Sequence, residues 1–177
     1  MQIPGAIGQV PETFNYQSPL GFRFFIKRLP NVNYFVNKIN IPGVTLPAAD
    51  EQTPFVVLPQ PGDHVIFEPL VLTFLVDEGL NNYIELQKWL RTISDLQGGN
   101  AYEKLNKHPE WTGHGVKSEI VLSLLDSAKN AKVNVLFHDA WPSNLTSLQF
   151  DATHQDVPYL VATSVFKYST YDFVDAP

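Results

Sequence analysis

The hydrophobic pattern of the chain is organised around residues 68–93, where a predicted strand leads into a predicted helix. Residues 70–76 are apolar at nearly every position and rich in β-branched and aromatic side chains, and turn residues bound them on both sides. This pattern predicts a strand covered on both faces. The following residues, with Asn81-Asn82 as a candidate N-cap pair, place apolar side chains on one side at helical spacing: Tyr83, Leu86, Leu90 and Ile93. We therefore expect a helix at about 81–93, lying over a sheet that contains the strand before it.

The rest of the chain is predicted to supply further strands of that sheet. They are expected at 22–28, 34–41, 64–67, 118–125, 132–138, 146–150 and 158–173, where polar and apolar positions alternate or short apolar runs end at turn residues. The first two are expected to form an antiparallel hairpin, as are 118–125 and 132–138. The turn residues at 140–144 are expected to end the strand before them. The predicted fold is mainly β, an antiparallel β-barrel or sandwich of about eight strands with one flanking α-helix.

Two proline-rich segments stand apart from the predicted sheet. Residues 1–20 hold three prolines and hardly any charge, which predicts an extended N-terminal arm that either orders against another surface or remains a loose terminus. Residues 42–62 hold five prolines around a short apolar run, which predicts a protruding loop or a small edge hairpin. The expected organisation is an arm at 1–20 followed by a single β domain at 21–177.

Composition and charge limit the function classes. The 177 residues suit one domain, and the net charge of −6 argues against ordinary nucleic-acid binding, which needs a face rich in Lys and Arg. No cysteine is present, so neither a disulfide framework nor a thiolate nucleophile is expected. No transmembrane segment and no signal peptide are predicted.

The chain offers no recognisable catalytic or metal-binding motif. Its five histidines do not fall at zinc-site spacing, and Asp77-Glu78 is expected to complement a helix start. The sequence therefore predicts a protein that is not an enzyme, with no catalytic residue, no cofactor and no metal. A metalloenzyme using His108 and His114, and a monomeric carbohydrate-binding sandwich using Trp111 and Tyr102, are the alternatives from other classes.

Several segments together resemble the contractile bacteriophage tail tube protein family. The resemblance rests on a strand-to-helix segment, Glu68-Pro69-Leu70-x-Leu72-x-Phe74-x-Val76-Asp77-Glu78 with Asn82-Tyr83 and Trp89. It also rests on Ala131-x-Val133-x-Val135-x-Phe137-His138-Asp139-Ala140-Trp141-Pro142-Ser143-Asn144-Leu145, with Leu148-x-Phe150-Asp151, Phe166-x-Tyr168 and Tyr171-x-Phe173 after it. The pattern runs in order from about residue 22 to residue 173.

The resemblance implies a structural virion protein of a phage tail, assembled as rings, with hexamers expected, that stack into the tube through which DNA passes. It implies contacts with other tail proteins such as sheath and baseplate, a location in the virion, and synthesis in the host bacterial cytoplasm. A net negative charge fits a bore that repels DNA phosphates. The oligomer-interface candidates are Ile3, Ile7, Val10 and Phe14 in the arm, and Phe55, Val56, Val57 and Leu58 in the protruding segment.

The proline-rich arm and residues 40–44 depart from what an ordinary tube subunit is expected to carry. A tube subunit is the first interpretation. A tube-initiator or baseplate hub protein, or a tail completion protein of the same fold, is the second. The tube of a bacterial contractile injection system is a third use of the same fold.

Overall fold

A computed structural model describes residues 16–94, residue 103, and residues 115–151 and 159–176. Within these ranges the chain forms eleven strands and two helices. The strands are β1 (Phe22–Ile26), β2 (Val36–Ile39), β3 (Val44–Thr45), β4 (Ala48–Gln52), β5 (Val57–Pro61), β6 (Ile66–Phe67), β7 (Leu70–Leu75), β8 (Ser118–Leu125), β9 (Ala131–Leu145), β10 (Val161–Lys167) and β11 (Thr170–Asp175). The helices are α1 (Pro30–Phe35) and α2 (Asn81–Ile93). The predicted mainly β class is confirmed, and so is the flanking helix at 81–93.

Seven of the strands form one antiparallel sheet in the order β1-β8-β9-β10-β7-β2, with β11 paired to β9. The predicted pairing of 118–125 with 132–138 is confirmed as β8 with β9. The smaller ladders β3–β6 and β4–β5 lie outside this sheet.

Strand β9 is the longest element of the sheet, and the prediction that it ends before 140–144 is wrong. Residues 133–137 pair with both β8 and β11, whereas residues 141–145 pair with β10. Asp139, between the two parts, has a φ of 57°. Pro142 is accommodated because the β9–β10 register is irregular between Val165 and Phe166, as expected of a proline within a ladder. The strand therefore continues past the bend into a second part of the sheet.

The prediction of a hairpin between 22–28 and 34–41 is also wrong. Residues 30–35 form helix α1, for which Pro30 at the first turn is a favourable start. Asn33 fixes the turn before it: its Oδ1 accepts from the Ile26 amide at 2.9 Å, and its Nδ2 donates to the Ile26 carbonyl at 3.0 Å. The helix redirects the chain, so β2 pairs with β7 at the far edge of the sheet instead of with β1.

Two further strand predictions need correction. Residues 146–150 form no strand. The described part of 158–173 divides into β10 and β11 at Tyr168 and Ser169, and the Ser169 amide donates to the His138 carbonyl at 2.9 Å. The break in this segment thus lies beside the bend of β9.

The core lies between the sheet and helix α2. Its largest fully buried side chains include Phe74, Phe137, Phe166, Leu72 and Leu86. Trp89 of α2 is buried, its ring lies 6.2 Å from that of Phe166, and its Nε1 donates to the Val116 carbonyl at 2.8 Å. The predicted position of the helix over the sheet is confirmed. Among the described residues, no helix has both the length and the hydropathy needed to cross a membrane.

The start of α2 differs from its prediction. The N-cap residue is Leu80, with a φ of 55°, and no side chain at that position caps the helix. Asp77 instead accepts from the Asn82 amide at 3.1 Å and from Asn81 Nδ2 at 2.9 Å. Asn82 is buried and donates to the Leu75 carbonyl. The predicted role of Asp77 at the helix start is thus fulfilled, while the asparagine pair connects strand and helix.

Candidate assembly surface

Residues 42–68 form one long interrupted hairpin, which we call the projecting hairpin. At its base β3 pairs with β6, and further out β4 pairs with β5. The register changes by two residues between the two ladders, where the Gly62 amide donates to the Pro47 carbonyl at 2.7 Å. Every residue of β4 and β5 is exposed, and among the described strands these two pair with each other alone. The predicted protruding segment at 42–62 lies within this hairpin.

Two tyrosines hold the base of the projecting hairpin against the main sheet. Tyr168 donates its hydroxyl hydrogen bond to the Glu68 carbonyl at 2.7 Å, and Tyr171 donates to the Pro42 carbonyl at 3.1 Å. One bond lies on each leg of the hairpin, and the Glu68 amide joins the legs by donating to the Gly43 carbonyl at 3.0 Å. The ring of Phe67 lies 6.0 Å from that of Tyr168 and 5.6 Å from that of Tyr171. We call Tyr168 and Tyr171, with their two hydroxyl hydrogen bonds, the tyrosine clamp.

The Tyr168 hydroxyl remains a donor over a wide pH range. Burial, and to a smaller extent the neighbouring Tyr171 and Glu68, raise the pKa of Tyr168 to about 12. The hydrogen bond from Tyr168 to Glu68 therefore does not respond to pH near neutrality.

The tip of the projecting hairpin carries the predicted interface residues of this segment, and all of them are exposed. Phe55 is 97% exposed, and Val56, Val57 and Leu58 are 56%, 46% and 43% exposed. The legs add further exposed apolar residues that the sequence analysis did not single out: Val44, Leu46, Val65 and Ile66. Exposed apolar patches of this kind mark interaction sites. The arm candidates Ile3, Ile7, Val10 and Phe14 lie outside the described residues.

A cavity of about 210 Å³ lies at the base of the hairpin. It is lined by Phe67, Glu68, Pro69, Lys167 and Tyr168. We call it the base pocket. Tyr168 thus serves both the clamp and the pocket wall.

Sequence reasoning missed the roles of Phe67, Tyr168 and Tyr171. The motifs Phe166-x-Tyr168 and Tyr171-x-Phe173 show aromatic residues at strand spacing. They do not show that the two hydroxyls contact carbonyls 100 and 129 positions away.

The titratable residues form no catalytic or metal-binding constellation within the described ranges. His64 contacts the adjacent Asp63 at 3.0 Å, and His138 lies 3.2 Å from Asp172 and 3.8 Å from Glu119. No group of three potential metal ligands occurs in the described part of the chain. The candidates for the alternative functions, His108, His114, Trp111 and Tyr102, lie outside it.

Comparison with known proteins places this architecture in a family. Among curated proteins, the tail tube terminator protein of Enterobacteria phage T4 is 32% identical over 138 residues, covering 75% of this chain and 73% of that protein.

Solved structures share the fold at low sequence identity. The tube-terminating cap of the anti-feeding prophage superposes with a TM-score of 0.61 at 17% identity, covering 98% of this chain and 100% of that chain. A chain of the sheath/tube terminator of the extracellular contractile injection system PVC superposes with a TM-score of 0.59 at 18% identity. The match covers 92% of this chain and 99% of that chain. The family model described as phage tail tube protein matches residues 1–174. The chain belongs to the phage tail tube protein family.

Proposed function

We propose that this protein is a tail tube terminator, a structural protein whose ring ends the tube of a contractile tail. The observation that carries the proposal is the 32% identity with the phage T4 tail tube terminator protein over 75% of this chain. Sequence patterns alone favour a tube subunit slightly, because they reflect the shared fold. The similarity to the T4 terminator supports placing the terminator first.

The protein acts as a homo-oligomer, with a hexameric ring as the assembly. The exposed apolar tip of the projecting hairpin supports this proposal, since Phe55 and the three residues after it are left in water by the single chain. The arm residues Ile3, Ile7, Val10 and Phe14 are proposed as further contacts within the ring or with its neighbours. The division into an arm at 1–20 and a domain at 21–177 is part of the same proposal.

The ring surrounds a bore through which DNA passes without sequence-specific contact. The net charge of −6 supports this role, because an acidic protein does not hold phosphates. The protein is made in the bacterial cytoplasm and becomes part of the virion, where the tube, the sheath and other tail proteins are its partners. It has no catalytic role and needs no cofactor.

The competing candidate is the tube subunit itself, which the description of the family model favours. Light scattering coupled to size exclusion, with negative-stain images of the same peak, separates the two. A terminator gives discrete rings that do not stack into tubes on their own, and a tube subunit gives tubes that lengthen with concentration. A strict monomer at all concentrations would contradict the proposed ring.

A further inference from the structure

We propose that Phe55 at the hairpin tip of one copy inserts into the base pocket of a second copy of this chain, so that each copy in the ring contributes one tip and one pocket. This inference rests on the proposed ring and names the contact that closes it. It follows from the shapes, the reach and the charges of the two surfaces.

The tip presents Phe55 in a fixed position. The Thr53 amide donates to the Val56 carbonyl at 3.2 Å, and the Val56 amide donates to Thr53 Oγ1 at 3.2 Å. Pro54 restricts the backbone between them. Because the turn is closed, burying the 97% exposed phenyl ring costs little backbone conformational entropy, as expected of an anchor residue.

The base pocket suits a single side chain. Its 210 Å³ lies below the roughly 300 Å³ at which small-molecule sites begin. The rings of Phe67 and Tyr168 and the side chain of Pro69 form the apolar part of its lining, and Glu68 and Lys167 form the charged part. The two aromatic rings offer packing partners to an inserted phenyl ring.

The tip cannot reach the pocket of its own chain. About ten residues separate Gly43 at the base from Thr53 at the tip, which at about 3.3 Å per strand residue is roughly 33 Å. Both legs are held extended by their ladders, so the hairpin does not fold back on its base. Only another molecule can fill the pocket with Phe55.

Charges at the two surfaces are complementary. Asp50 and Glu51 lie on the strand that leads to the tip, both are exposed, and Glu51 accepts from Gln60 Nε2 at 3.1 Å. Lys167 lies on the pocket wall and is exposed. Glu68, the acidic group of the pocket, already accepts from the Gly43 amide at 3.3 Å. A second copy therefore brings an acidic strand toward the side of the pocket on which Lys167 lies.

The contact is heterologous, because the tip and the pocket are different surfaces of the same chain. Repeating such a contact closes a ring when the rotation between copies allows it. A symmetric dimer would not use the two surfaces in this way.

Complementary variants test the proposal. Phe55→Ala removes the phenyl ring at the tip and keeps the pocket open. Lys167→Trp fills the pocket and keeps the phenyl ring. We expect each variant to weaken self-association at least tenfold by light scattering. The control Phe150→Ala removes another exposed phenylalanine and is expected to assemble as the parent does. Mixing the two variants restores one contact per pair, so 1:1 dimers form without rings.

Disulfide trapping gives a second measurement, since the chain has no cysteine of its own. Phe55→Cys mixed with Lys167→Cys is expected to cross-link between copies under mild oxidation, and a mixture of Phe150→Cys with Lys167→Cys is not.

Rings that survive in Phe55→Ala overturn the inference and leave the proposed terminator function standing. Rings that survive in Phe55→Ala but no longer bind tail tubes assign the tip to another tail protein, which also overturns it. A parent protein that never forms rings overturns both the inference and the proposed ring.

Discussion

At the scale of single residues, the tyrosine clamp sets the direction of the projecting hairpin. The hydroxyls of Tyr168 and Tyr171 each bond a carbonyl on a different leg, at 2.7 Å and 3.1 Å. Neither contact could be predicted from sequence, because an aromatic residue at strand spacing reads equally well as core. The exposure of Phe55 could be suspected from its proline-rich surroundings, since such segments seldom continue a sheet.

Replacing both tyrosines by phenylalanine keeps the rings and removes the two hydrogen bonds. We expect a loss of about 1 kcal/mol of stability per bond, and a clear increase in the rate of proteolysis within residues 44–67. Limited proteolysis followed by mass spectrometry locates the new cleavage sites. The control Tyr34→Phe removes an exposed hydroxyl far from the hairpin and should change neither value. Unchanged cleavage in the double variant would show that the clamp does not hold the hairpin.

Asp77 gives a residue-scale prediction about pH. Burial acts to raise the pKa of its carboxyl group, but hydrogen bonds from Asn82 and Asn81 outweigh this effect, so the net pKa lies below the ordinary value. A carboxyl group with a lowered folded-state pKa stabilises the fold above its ordinary pKa of about 3.9, and this stabilisation is lost as the pH falls through the folded-state value.

Asp77→Asn should therefore unfold more easily than the parent at neutral pH, and the difference should shrink as the pH falls below about 4. Thermal unfolding of both proteins from neutral pH to below about pH 4 measures this difference in stability. Glu78→Gln, the matched control, removes the neighbouring carboxylate and should show no comparable trend. A constant difference at every pH would mean that the charge of Asp77 does not stabilise the helix start.

At the scale of elements, local patterns predicted helix α2 and the β8–β9 pair, because each depends on neighbours within a few residues. The predictions that failed include the hairpin now replaced by α1 and β2, the end of β9, the strand at 146–150 and the unbroken strand at 158–173. Pairing of β2 with β7 and of residues 141–145 with β10 depends on partners far along the chain. The Trp141-Pro142 turn signal was overridden because a register irregularity opposite it accommodates the proline.

The bend of β9 at Asp139 has its own prediction. A β-branched residue is strained at a φ of 57°, by about 1–2 kcal/mol, whereas glycine adopts it freely. Asp139→Val and Asp139→Gly both lose the contacts with Lys117 and Ser169, so they differ in backbone strain. Urea unfolding should find the valine variant less stable, by less than the full strain because glycine loses more backbone entropy on folding. Equal stabilities would show that the bend relaxes.

At the scale of the whole molecule, the fold provides one bent sheet, a helix that covers its core, and a hairpin directed away from both. The fold class and the central helix could be predicted from the sequence. The candidate interface could be predicted only at the tip, because the base pocket is assembled from residues on two distant parts of the chain. A protein of this shape leaves its apolar tip exposed to water until another molecule covers it.

The most direct test of the terminator assignment is an end-binding assay. Tubes assembled from the tube subunit of the same virus are mixed with this protein, and then with more tube subunit, and their ends are imaged by electron microscopy. A terminator should add one ring at one end of each tube and stop further growth from that end. Tubes that keep growing at both ends, or that incorporate this protein repeatedly along their length, would contradict it.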